Sequence, residues 1–168
     1  MIVVQPDSDA GMLRKVYGSF PSGVVAVAAR VEGALIGMAA SSFTSVSMDP
    51  PLVSICVQNG SATWPRLAAA SRIGLSVLSG DHNEACRKLA AKDGDRFEGV
   101  PFVETEDGAI FIEGASAHLD CTIEDIFAAG DHKIVLMRVR RVDVSPDREP
   151  LIFHASGFHR IRRICQAA

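Results

Sequence analysis

The segment that most constrains this chain is residues 37–52, GMAASSFTSVSMDPPL. Its first half continues an apolar strand with small side chains, which leave room for a flat ligand against the backbone. Its second half offers hydroxyl groups, and Ser45 and Ser47 can present these and neighbouring N–H groups to an anion. Asp49 precedes a proline, so the chain must extend or turn there. These features alone fit a serine-rich hairpin crossover equally well.

Strand patterns dominate the rest of the chain. Residues 116–124 and 134–144 alternate between apolar and polar side chains, as strands with one buried face do. The residues at 130–132 are predicted to join them as a hairpin turn. Further short strands are predicted at residues 24–30, 34–41, 52–57, 73–78 and 151–155. The strand at 52–57 is nearly apolar on both faces, which predicts a central position.

Three helices are predicted between the strands. The first follows possible caps at residues 7–9 and places apolar side chains at helical spacing up to Phe20. The second begins near Pro65 after a possible Thr63 cap, where free N–H groups could bind phosphate. The third follows a possible capping box at residues 81–84 and runs to about Ala91. No strand is followed by GxGxxG, so a β-barrel with flanking helices is favoured over a Rossmann sheet.

Composition excludes several classes of protein. The 168 residues carry a net charge of −3 and no basic tract, so we expect no nucleic-acid partner. No apolar run reaches the ~18 residues of a membrane span, and residues 1–9 do not resemble a secretory signal. The four cysteines form no CxxC pair, which predicts reduced thiols, a cytoplasmic location and no metal site. Cys56 and Cys121 are predicted to be buried.

A hydrolase is disfavoured by the spacing of its potential catalytic residues. None of the five histidines lies in HxxxH or HExxH spacing, and no GxSxG occurs. The serine-rich segment has no histidine close to it in sequence.

Three segments together resemble the flavin reductase family, whose members share an FMN-binding split barrel. They are residues 37–52, AGDHK at 129–133 and PLIFHASGF at 150–158, in the family's order and at about its spacing. The resemblance implies a mainly β chain, a split β-barrel with flanking helices. It also implies one flavin reductase-like domain over residues 1–168, with its core at about 16–158.

The resemblance further implies an NAD(P)H:flavin oxidoreductase that transfers a hydride from NADH or NADPH to FMN or FAD. Such enzymes often supply reduced flavin to a partner monooxygenase. A flavin-binding carrier or sensor without NADH turnover is the alternative, and a related split-barrel oxidase is a third option. The histidine at 132 favours the enzyme.

Site residues carried over from the family lie in four segments. A loop at 59–63 is expected to contact the phosphate end of the flavin, and a DRF segment at 95–97, with an exposed Arg-Phe pair, to lie near its ring. The predicted cofactor-binding residues are Ala39, Ala40, Ser41, Ser42, Phe43, Ser45, Val46, Ser47, Asn59, Gly60, Ser61, Thr63, Arg96, Phe97, Ser156, Gly157 and Phe158.

His132 is the predicted catalytic residue. It would either hydrogen-bond the nicotinamide side or offset the charge that arrives with the hydride. Ala39 and Ser41 depart from the Thr and Asn that are common in the family, which leaves the choice between FMN and FAD open. A homodimer is expected because the strand at 52–57 needs cover on two faces, and because the family pairs its barrels.

Overall fold

The computed structural model describes residues 10–161, and its largest feature is a seven-stranded sheet. These strands are β2 Val25–Val31, β3 Ala34–Ala40, β4 Thr44–Met48, β5 Pro51–Gln58, β6 Ile73–Val77, β9 Ala117–Ala129 and β10 His132–Val144. They are ordered β3-β2-β6-β9-β10-β5-β4, and every neighbouring pair is antiparallel. The predicted long hairpin is confirmed, with His132 as the first residue of its second strand.

Five short strands and three helices flank this sheet. The strands are β1 Ser22–Gly23, β7 Phe102–Glu104, β8 Ile110–Ile112, β11 Ile152–His154 and β12 Gly157–His159, and the helices are α1 Ala10–Gly18, α2 Trp64–Leu67 and α3 Asn83–Ala90. Within residues 10–161, no helix combines the length and the apolar composition that a membrane crossing requires.

The sheet curls so that its two ends approach each other where residues 41–43 pass from β3 to β4. Ser42 is hydrogen-bonded to β5 there, across the end of the ladder. Because no strand-to-strand ladder joins β3 to β5, the barrel is split at this point. The predicted split β-barrel with flanking helices is thereby confirmed.

Apolar residues pack on both faces of β2. Val25 and Val27 face the barrel interior, where Ile55 and Val135 also lie. Ala26 and Ala28 face a second cluster under α3 and β8, whose largest fully buried members are Leu78, Leu89, Ile110, Ile112 and Leu151. Both faces of β2 are therefore buried.

The strand predicted at residues 52–57 lies inside the sheet, between β10 and β4, but only one of its faces is buried. β5 is the second strand from one end of the sheet and has only the short β4 outside it. Val53 and Ile55 are buried in the barrel, whereas Cys56 on the opposite face is exposed. The predicted burial of Cys56 is therefore wrong, because no element of the described chain covers that face.

Gly74 permits a close crossing between two strands. An ideal Cβ at this position would lie 2.1 Å from the carbonyl oxygen of Ile110. Any side chain there would have to displace backbone, so glycine is what allows β8 to lie across β6.

Asp120 was expected to point outward because it alternates with apolar neighbours on β9. It is instead 3% exposed and accepts hydrogen bonds from Arg72, with Nε 2.8 Å from Oδ1. The paired guanidinium makes burial of the carboxylate tolerable, since the charge is compensated in place.

Two of the predicted helix caps are not formed. Thr63 precedes α2 without capping it, and Ser61 Oγ accepts the Trp64 N–H instead, at 3.1 Å. The predicted capping box of α3 is not formed: the N-cap residue is His82, which makes no capping hydrogen bond, and Asp81 pairs with Arg160. The proposed caps at residues 7–9 lie outside the described residues.

Candidate active site

A cleft of about 610 Å³ lies at the split in the barrel. Small residues of β3 and the following link form one part of its lining, and the end of β5 and the loop at 60–63 form another. Among the described residues, its basic lining side chains are Lys92, Arg96 and His132, and no carboxylate lines it. The other lining residues are Met38, Ala39, Ala40, Ser41, Ser42, Cys56, Val57, Gln58, Gly60, Ser61, Ala62, Thr63, Leu89 and Ala90.

Ser42 fixes the width of this cleft. Its Oγ accepts the Cys56 N–H at 2.8 Å and donates to the Cys56 carbonyl at 3.1 Å. One side chain therefore satisfies both backbone groups of a β5 residue at the end of the sheet ladder. The neighbouring Ser41 is exposed in the same cleft and has no hydrogen bond to another described residue.

The loop after β5 presents backbone donors. Among the described residues, none accepts a hydrogen bond from the N–H groups of Gly60, Ala62 or Thr63. Successive free N–H groups of this kind form concave sites for anions. α2 has only four residues, so these loop amides and not a helix terminus supply the donors.

Arg96 connects this loop to β3. Its Nη1 donates to the Gly37 carbonyl and to Thr63 Oγ1, both at 2.8 Å. Phe97, expected to be exposed beside it, is 7% exposed and packs over Gly37, where a Cβ would lie 2.5 Å from the ring. The expectation of an exposed Arg-Phe pair is wrong, because the absence of a side chain at Gly37 opens a place for the ring.

His132 reaches the cleft from the start of β10. Its side chain is 35% exposed, and its Nδ1 lies 2.7 Å from Asp131 Oδ1. The hydrogen bond from His132 lowers the pKa of the Asp131 carboxyl. A carboxylate can only accept, so Nδ1 carries the proton of this bond and Nε2 remains for a ligand.

Asn59 holds the hairpin tip that carries His132. Its side-chain amide donates to the Gly130 carbonyl at 3.1 Å, and its backbone N–H donates to the Asp131 carbonyl at 2.9 Å. Asn59 does not line the cleft itself. It ties the histidine-bearing turn to the loop that presents the free amides.

The cleft brings together nine of the eighteen predicted site residues. These are Ala39, Ala40, Ser41, Ser42, Gly60, Ser61, Thr63, Arg96 and His132. The other nine do not line it: Phe43, Ser45, Val46, Ser47, Asn59, Phe97, Ser156, Gly157 and Phe158.

Two groups of these residues lie on other surfaces. Ser45 and Ser47 flank a bulge at Val46 on the edge strand β4. Ser156 occupies the β11–β12 turn with a φ of 64°, and Phe158 packs on Phe153 with the Arg87 guanidinium 5.4 Å from its ring centroid.

Several lining residues were not predicted from the sequence. They are Met38, Cys56, Val57, Gln58, Ala62, Leu89, Ala90 and Lys92. Cys56 and Gln58 follow from period two once one face of β5 is known to be open. Lys92 and Leu89 reach the cleft only through the packing of α3 on β3, for which the sequence has no local signal.

The chemistry of the cleft can be read from these groups. Small side chains, amide and hydroxyl donors and cations suit a flat, anionic ligand. Among the described residues that line the cleft, no serine or cysteine is hydrogen-bonded to a histidine, so no nucleophile–base pair is assembled there. No group of three or more His, Cys, Asp or Glu side chains within residues 10–161 could hold a metal ion.

Comparison with known proteins identifies the class of protein that has this fold and this cleft. The family model of the flavin reductase like domain matches residues 17–162. The chain belongs to this family.

Individual relatives cover nearly the whole chain. A flavin reductase of Pseudomonas putida is 37% identical over 157 residues, 93% of this chain and 92% of the relative. The NADH:FAD oxidoreductase of Streptomyces globisporus C-1027, solved with NAD and FAD fragments, superposes with a TM-score of 0.90 at 39% identity, covering 96% and 98% of the two chains. The reductase subunit of a flavin-dependent monooxygenase of Rhodococcus jostii is 30% identical over 150 residues, 89% of this chain and 77% of the relative.

Proposed function

We propose that this chain is an NADH-dependent flavin reductase that binds FMN or FAD in the cleft at the barrel split. The observation that carries the proposal is the lining itself, which combines small residues, free donors and cations without a carboxylate. When bound, the flavin supplies the redox chemistry by taking the hydride from the nicotinamide. The relatives named above are reductases of this kind, which favours the enzyme over a non-catalytic carrier or sensor.

Different lining residues are proposed to bind the ring and the phosphate of the flavin. Ala39 and Ala40 leave the backbone of β3 accessible to a flat ring, because they carry only a methyl group. The free amides of Gly60 and Ala62 and the charge of Lys92 suit the phosphate. Hydrogen bonds that involve a charged partner contribute about 1.5–3 kcal/mol each, so this end is expected to dominate affinity.

His132 is placed to act on the nicotinamide side. Its Nδ1 is held by Asp131, so the ring is oriented and Nε2 is available to the ligand. Nε2 of the neutral imidazole can accept a hydrogen bond from the nicotinamide side, or the protonated ring can offset the charge that arrives with the hydride. Since Asn59 fixes the turn, the histidine needs little reorganisation when substrates bind.

One assay tests the reductase proposal. NADH oxidation is followed at 340 nm with purified protein alone, with added FMN and with added FAD. A reductase consumes NADH only when flavin is present or already bound, and a carrier or sensor binds flavin without consuming NADH. Flavin binding without NADH turnover would refute the enzyme, and absence of flavin binding at tens of micromolar would refute the site.

A partner monooxygenase is the proposed destination of the reduced flavin. The monooxygenase reductase subunit of Rhodococcus jostii supports this, as does the flavin reductase component of a bacterial two-component tryptophan halogenase, which superposes with a TM-score of 0.84 at 28% identity. Coupled turnover by a flavin-dependent oxygenase fed only with NADH, flavin and this protein tests it.

The remaining proposals concern the number of domains, the oligomeric state and the cellular location. One domain, a homodimer and a cytoplasmic location with reduced thiols fit the chain. Support for the homodimer comes from large apolar side chains left exposed in the single chain, with Tyr17 71% and Met48 92% exposed. A monomer in light scattering at micromolar concentration, with full activity, would refute the homodimer.

A further inference from the structure

A second cleft of about 290 Å³ opens beside the first. The two clefts share Ala62, Thr63, Lys92 and Arg96, so Ala62 and Lys92, two of the three residues proposed for phosphate binding, lie at their junction. His132 lines only the first cleft. A ligand that lies along the first cleft and extends past the junction therefore enters the second one.

The second cleft concentrates positive charge. Arg66, Lys92 and Arg96 line it, and Asp95 is its one acidic lining residue. Asp95 Oδ1 already accepts the Phe97 N–H at 2.9 Å. Among the described residues, none of the three cations forms an ion pair, although the whole chain carries a net charge of −3.

Several other arginines of the described chain are paired with a carboxylate. Arg30, Arg72 and Arg138 each meet a carboxylate within 3 Å. Three cations that converge on one cleft without such partners repel one another, and an anion would relieve this repulsion. Beside them, the half-buried Leu35 supplies apolar surface of the kind that a purine ring covers.

We propose that the second cleft binds the adenylate half of FAD, with the second phosphate at Arg66 and the adenosine beyond it. FMN ends at its single phosphate and would occupy the first cleft only. This proposal rests on the proposed function, since it places the flavin in the first cleft. It predicts that the protein prefers FAD to FMN, and that Arg66, which lines only the second cleft, is the residue that sets this preference.

The test measures Kd for FAD and for FMN by quenching of flavin fluorescence, with wild type and Arg66→Gln. We expect wild type to bind FAD more tightly than FMN. Arg66→Gln should weaken FAD binding about tenfold, which corresponds to about 1.4 kcal/mol, and leave the FMN Kd within about twofold. Arg141→Gln removes the same charge from an exposed position outside both clefts and should change neither Kd.

Several results would overturn the proposal. Equal affinity of wild type for the two flavins, or an equal loss of affinity for both flavins in Arg66→Gln, would show that the second cleft does not recognise the adenylate half. A selective rise in KM for NADPH over NADH in Arg66→Gln, with FAD binding unchanged, would assign the cations to a nicotinamide nucleotide. If wild type bound neither flavin, the reductase proposal itself would fall, which separates the two failures.

Discussion

Ser42 lies in the candidate site, yet both of its hydrogen bonds go to the protein. The Ser42→Ala variant removes one bond from the Cys56 N–H and one to its carbonyl. Each neutral hydrogen bond contributes about 0.5–1.5 kcal/mol, and water can reach these groups, so we expect a total loss of about 1–2 kcal/mol. For a domain of this size, that corresponds to a fall in Tm of about 2–8 °C.

Ser41→Ala is the matched control, because Ser41 lines the same cleft without a hydrogen bond to the described residues. We expect its Tm to stay close to wild type and its flavin Kd to rise several-fold, as for one lost ligand hydrogen bond. Thermal unfolding and flavin titration are measured on both variants. Unchanged stability of Ser42→Ala, together with a large loss of flavin affinity, would refute the assignment of Ser42 to the fold.

Three further outcomes are expected. His132→Ala should lower kcat/KM for NADH several-fold, or up to about a hundredfold if the lost bond is charge-assisted. Its flavin Kd should stay near wild type. Unchanged NADH kinetics from pH 6 to 8 would show that His132 is only a turn residue. Gly74→Ala should lower the free energy of unfolding by at least about 1–3 kcal/mol in denaturant, because the added Cβ meets the Ile110 backbone. Gly23→Ala is the control and should be tolerated, because no atom lies within 4 Å of a Cβ there. Burial raises the pKa of Cys121 to about 12, so peptide mapping after iodoacetamide treatment at pH 8.5 should find Cys121 unmodified. The exposed Cys56 should be modified in the same experiment, except when FAD is present. Rapid modification of Cys121 in folded protein, or no protection of Cys56 by FAD, would contradict this.

Much of the barrel could be predicted because its strands carry a local signal. The segments that became β2, β3, β6, β9 and β10 alternate or are continuously apolar, and turn residues separate them. β7 and β8 were not predicted, since three-residue strands are shorter than any periodicity can show.

Errors arose where a residue's environment depends on a partner distant in sequence. The alternation along β9 predicts that Asp120 points outward, but Arg72, 48 residues away, compensates its charge inside. Phe97 was read as exposed because its neighbours are polar, but the space that receives its ring is created by Gly37. Cys56 was read as buried because it is small and apolar, although the sheet leaves its face open.

The candidate site also combines residues that have a local sequence signal with residues that only tertiary packing places there. Residues 38–42 lie in one linear motif and the loop at 60–63 is a second contiguous segment, and the cleft contains both. Lys92, by contrast, follows α3, and only tertiary packing brings it beside Thr63. The serine pair on β4 shares the motif but lies on the edge strand, so contiguity in sequence did not imply contiguity in the cleft.

The clamp of Asn59 on the β9–β10 turn has a consequence for engineering this protein. Hairpin tips are ordinarily the places where a tag, a fluorophore site or a new terminus is accepted. Here the tip at Gly130 and Asp131 is anchored through two carbonyls, and its next residue enters the cleft. The turn at Glu32 and Gly33, between β2 and β3, lies outside both clefts and is the better site for an insertion. Lengthening the β9–β10 turn instead would detach His132 from its place while leaving the barrel itself intact.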